Sequence, residues 1–189
     1  MELTKIVVAS SNEGKIAEIK SIFTGIEIVS MHELGFTDEI EETGKSFKEN
    51  AKIKAETVAK RFSLPALSDD SGLCVEALHG APGIYSARFS GEGPAENRKL
   101  LLKRMEHISD RRAHFESAVC LCLPDGKTYF GQGRTYGKIL YEEIGTNGFG
   151  YDSLFFSDDL KKSFGLATDE EKNGVSHRFR ALADLRAKL

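Results

Sequence analysis

No apolar run in this sequence approaches the roughly 20 residues that a membrane-spanning helix requires, so a membrane protein is not expected. A secretory leader is not expected either: MELTKIVVASSNEGK has too short an apolar run and no cleavage signature. Cysteine is scarce, and three of them, Cys74, Cys120 and Cys122, cannot form an even disulfide framework. All three lie in apolar stretches (Leu73-Cys74-Val75 and Val119-Cys120-Leu121-Cys122-Leu123) and read as small buried core thiols. This usage points to a reducing compartment, and the expectation is a soluble, cytoplasmic protein. Positive charge is not in excess either: 26 Lys and Arg against 29 Asp and Glu leave a net charge of −3. That excludes a generally basic, nucleic-acid-coating surface, and basic residues are not clustered with aromatics. A phosphate ligand would have to be met by locally placed lysines and backbone amides. Repeats, low-complexity tracts and flexible linkers are absent as well.

What is present suits one globular domain over residues 1–189, since 40 percent hydrophobic residues supply a sizeable core without disulfides or a structural metal. Ile6 to Ala9 reads as a buried parallel strand, followed by a polar loop and a helix from Lys15 to Phe23 with an Ile16, Ile19, Ile22, Phe23 stripe. Ile26 to Val29 suggests a second strand, so the chain opens β-loop-α-β with its first loop at the carboxyl edge of the sheet. Phe47, Ala51, Ala55, Val58 and Phe62 mark a helix over 46–62, with Ser46 and Glu49 as a capping box. Pro65 to Leu67 reads as the beginning of a short strand delivered into Ser68-Asp69-Asp70-Ser71-Gly72, with Asp69-Asp70 at its end. Residues 80–93 read as an ordered loop and 94–107 as a helix. Residues 115–123 and 128–136 form a hairpin around Pro124-Asp125-Gly126-Lys127, and 176–189 is helical. The expected class is mixed α/β.

Four patches carry chemistry. Ser10, Ser11, Asn12, Glu13, Gly14 and Lys15 join a strand to a helix N-terminus, where amides and the helix dipole favour an anion. The loop is not a Walker A motif, because the leading glycine is missing and Ile16 follows the lysine; alone, it equally suits a helix start capped by Ser11 or Asn12. Glu41-Glu42 and Asp69-Asp70 are two acidic pairs, each beside a hydroxyl and a glycine, and suit a hard cation bound through oxygen. A carboxylate not used for metal could take a proton from water. In Gly145–Asp152, glycines let the backbone approach a flat ligand, and Phe149 or Tyr151 can stack on a base. In Glu171–Arg178, Lys172 and Arg178 are candidate phosphate or base-edge contacts. His177 by itself reads as surface or cap-associated, and it has no metal-ligand spacing with His32, His79, His107 or His114. No zinc site and no Ser-His-Asp pattern is read.

Taken together, SSNEGK (10–15), EETGKSFKENAKIKA (41–55), LSDDSGL (67–73), GAPGIYSARFSG (80–91), NGFGYD (147–152) and EEKNGVSHR (170–178) resemble the inosine triphosphate pyrophosphatases, the Ham1-like family acting on non-canonical purine nucleoside triphosphates. The segments occur in the family's order across nearly the whole chain. The resemblance implies an elongated α/β fold, a mixed sheet with flanking helices and two lobes around a central cleft. It implies Mg2+-dependent hydrolysis of ITP, dITP or XTP to monophosphate and pyrophosphate, usually by a homodimer. It assigns Ser10 to Lys15 and Lys54 to the triphosphate, Glu41 and Asp70 to Mg2+, and Asp70 also to the role of general base. Ser71 then contacts the nucleotide, Phe149 stacks on the purine, and Gly150, Tyr151 and Asp152 complete that wall. Lys172, His177 and Arg178 close the pocket and read the purine edge. Two departures are visible: Ser153 stands where proline is common, and His79 where glycine is frequent. The rival readings are a pyrophosphatase for other nucleotides, such as modified pyrimidines, and a non-catalytic nucleotide-binding module.

Overall fold

The computed structural model describes residues 3–189. Seven strands form one sheet in the order β2-β1-β3-β4-β5-β6-β7. The first three are β1 (Lys5–Val8), β2 (Glu27–Ser30) and β3 (Ala66–Val75); the others are β4 (Arg112–Cys122), β5 (Thr128–Ile139), β6 (Phe155–Ser157) and β7 (Lys162–Ser163). β1 pairs in parallel with both β2 and β3, while β5-β6 and β6-β7 are antiparallel. The helices are α1 (Glu13–Ile22), α2 (Phe47–Phe62), α3 (Pro94–Arg104), α4 (Asp169–Val175) and α5 (His177–Arg186).

The chain divides into two compact units, one of residues 1–70, 117–133 and 178–189, the other of 71–116 and 134–177. In the first, period-two alternation sends Ile6 and Val8 into a cluster with Ile19 of α1, Phe23 just after it, and Leu182 and Leu185 of α5. Val7 and Ala9 point the opposite way, against Ala51, Ala55 and Val58 of α2. Helices thus cover both faces of a parallel start, which is why Ile6, Val7 and Val8 of β1 are all apolar. Cys120 and Cys122 lie in the α2-side cluster as free thiols. In the second unit Leu73, Val75, Ala113, Phe115 and Ile139 from three strands pack with Leu101 of α3 and with Phe155 and Phe164.

Several local expectations change. The strand does not end at Asp69-Asp70; Ser68–Gly72 lies inside the ten-residue β3, and every residue of it except Ser71 is buried. The cap of α1 is Asn12, whose side chain accepts from Lys15 N, so the helix begins at Glu13. Ser46 caps α2 as expected, but Glu49 accepts from the Lys45 amide and not from Ser46, so the box is only half closed. The complete capping box is at α4, between Thr168 and Glu171. Residues 171–175 are therefore themselves helical. β6 and β7 have too few residues to show a period. His79 adopts φ 54°, the left-handed region where a side chain is strained and glycine is favoured.

Candidate functional site

The first unit gathers seven charged side chains around the middle of β3. Asp69 has no exposed side-chain surface. Its Oδ2 pairs with Lys15 Nζ at 2.9 Å and with Arg178 Nη2 at 3.2 Å, and the Ser117 hydroxyl donates to its Oδ1. Arg178, also fully buried, donates with its remaining arm to Glu18 of α1. Burial pushes the Asp69 carboxyl up, but Arg178 and Lys15 outweigh it and hold it well below the ordinary carboxylate range. Asp69 is thus a permanent anion whose oxygens are committed to the protein. It is unsuited to a metal or a proton.

Its neighbour differs, because successive residues of a strand face opposite ways. Asp70 is 6% exposed, with Oδ1 accepting from Lys54 Nζ at 3.2 Å. Its Oδ2 is buried and accepts no hydrogen bond. Burial raises its pKa against the pull of Lys54, and the nearby Glu42 carboxylate raises it further. Lys54 also donates to Glu42 Oε1 at 2.7 Å and to the Asp69 carbonyl at 3.1 Å. Burial works against its charge, yet Asp70 and Glu42 prevail and hold it as an ammonium. Of the two acidic residues that precede α2, Glu42 is the one against Lys54, while Glu41 is exposed. Gly44 fixes this segment: its amide donates to Asn50 Oδ1 at 2.8 Å, and a Cβ there would meet the same oxygen at 2.6 Å. Ser11, Asn12 and Glu13 are exposed beside Lys15, and Ser10 Oγ accepts from the Asn12 amide.

The second unit carries a different group. A hollow of about 280 Å³ lies along the 145–153 segment, with Arg98, Asn147, Phe149 and Asp152 among its walls. Asp152 is buried, and its Oδ2 accepts from the Phe149 amide at 2.9 Å and from Lys172 Nζ at 2.7 Å. Lys172 Nζ also sits 4.5 Å from the Phe149 ring centre. Gly148 must be glycine, since its φ is +74° and a Cβ would lie 2.1 Å from Asp152 Oδ2. Arg98 donates to the Gly150 carbonyl at 3.0 Å and braces the same turn.

Of the two aromatic candidates, Phe149 offers its ring, at 38% exposure. Tyr151 is buried in the core and donates its hydroxyl to the Ser86 carbonyl at 2.8 Å, so its ring is a support and not a stacking surface. His177 is not on the surface: it is buried and stacked on Phe115 at 4.9 Å. Ser71 is half-buried at the end of the Asp69-Asp70 pair.

The structure therefore brings together Lys15, Lys54, Asp70 and Arg178 in one unit, and Phe149, Asp152 and Lys172 in the other. Sequence reading did not find Glu18, Ser117 or Arg98. None carries a local signal, because each matters only through a partner 45 or more residues away.

Comparison with known proteins gives a consistent result. A dITP/XTP pyrophosphatase of Bacillus licheniformis is 42% identical over 193 residues, covering 99% of this chain and 98% of that one. Its counterpart in Geobacter sulfurreducens is 45% identical, with 99% and 97% covered. The solved structure of the Staphylococcus aureus Ham1 protein superposes with a TM-score of 0.88 at 40% identity over 97% of each chain. Residues 6–188 match the Ham1 family, and with these relatives at full length the chain belongs to that family.

Proposed function

We propose that this chain hydrolyses non-canonical purine nucleoside triphosphates, ITP, dITP and XTP, to the monophosphate and pyrophosphate, with Mg2+ as the metal. The observation that carries the chemistry is Asp70 Oδ2, a buried carboxylate oxygen without a hydrogen-bond partner, beside an ammonium held charged. Such an atom is costly unless a cation or a proton occupies it during function. The substrate class is supported by the relatives in Bacillus licheniformis and Geobacter sulfurreducens, both dITP/XTP pyrophosphatases.

On this reading Asp70 and Glu41 hold the ion, and the proximity of Glu42 to Lys54 makes it the alternative ligand. The donor set fits Mg2+, being carboxylate oxygen throughout. Bound there, the ion would neutralise phosphate charge and lower the pKa of water. Lys15, Lys54 and the amides of the 10–15 loop take the triphosphate oxygens. Asp70, with a pKa above the carboxylate norm, takes the proton of the attacking water. Ser71 contacts the nucleotide, Phe149 stacks on the purine with Gly150 and Asp152 behind it, and Lys172 and His177 lie against the base edge. Arg178 contributes by anchoring Asp69, which in turn aims Lys15. Assembly as a cytoplasmic homodimer belongs to the same proposal.

A 6-keto purine presents an acceptor where adenine presents a donor. Donors aimed at that oxygen would face donors in ATP, and unpaired polar burial of this kind supports discrimination of ~10⁴-fold. The test is a panel of ITP, XTP, dITP, GTP and ATP with Mg2+ and identification of the products. Pyrophosphate from the first three at much higher rates than from ATP is expected. Orthophosphate as the product would end the assignment of reaction, and equal rates on all five that of specificity.

A further inference from the structure

The second unit brings a thiol, an imidazole and a carboxylate together on the sheet face opposite its core. Leu73 and Val75, Ala113 and Phe115 point into the cluster. The intervening residues therefore face the other way: Cys74 from β3, His114 and Glu116 from β4, Arg134 and Tyr136 from β5. One ligand atom each from Cys74, His114 and Glu116 lies within 4.8 Å of the others. We propose that Cys74, His114 and Glu116 form a site for a divalent transition ion of the zinc class, separate from the site for Mg2+.

The donor set selects that class. Sulfur, imidazole nitrogen and one carboxylate oxygen suit borderline-soft ions with tetrahedral geometry and repel hard Mg2+. Thiolate and carboxylate with a neutral imidazole balance a divalent charge. Ligand atoms around zinc sit ~3.3–3.8 Å apart, so small side-chain rotations close the set. The outer partners are in place. Glu76 Oε1 lies 3.5 Å from His114 Nδ1, a buried atom with no hydrogen-bond partner, while Nε2 faces Glu116 Oε2 at 3.7 Å. A metal on Nε2 would leave Nδ1–H to donate to Glu76, the carboxylate–imidazole–metal arrangement that fixes a ligating ring. Arg134 Nε donates to Glu116 Oε2 at 2.8 Å and orients that carboxylate in the same way. Tyr136 packs on the imidazole at 5.6 Å. Binding as thiolate would release the Cys74 proton to solvent. The ion would join β3 to β4, with water in the fourth position.

Titration of the metal-stripped, full-length protein with Co2+ alone tests the site. One equivalent per chain should give a thiolate-to-cobalt charge-transfer absorption that Zn2+ abolishes. Cys74→Ser and His114→Ala should lose it, whereas Cys120→Ser and Asp70→Asn should keep it. No such absorption in the wild-type protein, or its survival in Cys74→Ser, would overturn the proposal. Should Cys74→Ser fail to fold by circular dichroism, Glu116→Gln decides: a tenfold or greater loss of cobalt affinity supports the site, and unchanged affinity refutes it.

Discussion

Two adjacent aspartates of one strand have opposite environments, and this sets what substitution of each should do. Asp69 pairs with Arg178 and Lys15, so Asp69→Ala takes the carboxylate from Lys15 and leaves the buried Arg178 with Glu18 as its acidic partner. Removing one partner of such a group costs about 3–5 kcal/mol, a large part of a domain's stability. Asp70 has one oxygen with no internal partner, so Asp70→Asn should leave the urea midpoint nearly unchanged while turnover of ITP falls by roughly 10²-fold or more. Paired urea unfolding and kcat measurements check the contrast; similar losses of stability in both variants would contradict it. The sequence marked both residues as acids adjoining an apolar run, because buried charge is costly unless partnered. It left open which was which, since the partners, Arg178 and Ser117, lie 109 and 48 residues away.

Helices and strands show the same division between near and far causes. Helix α2 was readable in full, because its apolar stripe and Ser46 cap are properties of sixteen consecutive residues. β3 was readable only at its start. Ser68, Asp69 and Asp70 break the apolar pattern, and nothing local indicates that Ser68 Oγ will donate to the Ala51 carbonyl or that Asp69 will meet an arginine. Where elements pack closely, glycine decides. In β5 a Cβ on Gly131 would lie 2.0 Å from the Ala181 carbonyl and 2.6 Å from Leu185 N, both backbone atoms of α5. Gly131→Ala should cost about 1–3 kcal/mol or more as the helix is pushed off the strand. Gly174 in α4 meets nothing within 4 Å, so Gly174→Ala should be neutral or stabilise by up to about 1 kcal/mol. Thermal melts of the two variants measure the difference, and a Gly131→Ala melt equal to wild type would contradict the packing.

For the whole molecule, acid should remove activity before it removes the fold. The Asp69 pKa is lowered on folding, so its stabilisation is fully present above the ordinary carboxylate value and fades as pH falls toward its own lower one. Asp70 has the opposite sign. Its raised pKa favours the protonated form in the fold, so that contribution exists at low pH and is lost as pH rises through the raised value. The deprotonated form is the one that binds metal and accepts a proton. The rate should therefore rise with pH on a limb lying above the carboxylate norm, and the chain should unfold only below about pH 4. A pH–rate profile beside circular dichroism over the same range tests the order; coincident loss of both would refute it.

The sequence by itself determined the parallel β-loop-α-β opening, the hairpin at 124–127, the buried thiols and the family, because residue periods, caps, turns and short motifs are written in neighbouring positions. Only the tertiary structure decided that Asp69 is consumed by Arg178 and Lys15, that Phe149 and not Tyr151 presents its ring, and that Cys74 lies against His114 and Glu116. Each of these depends on a charge or a surface supplied from tens of residues away, and an ionisable group takes its character from what surrounds it after the chain has closed.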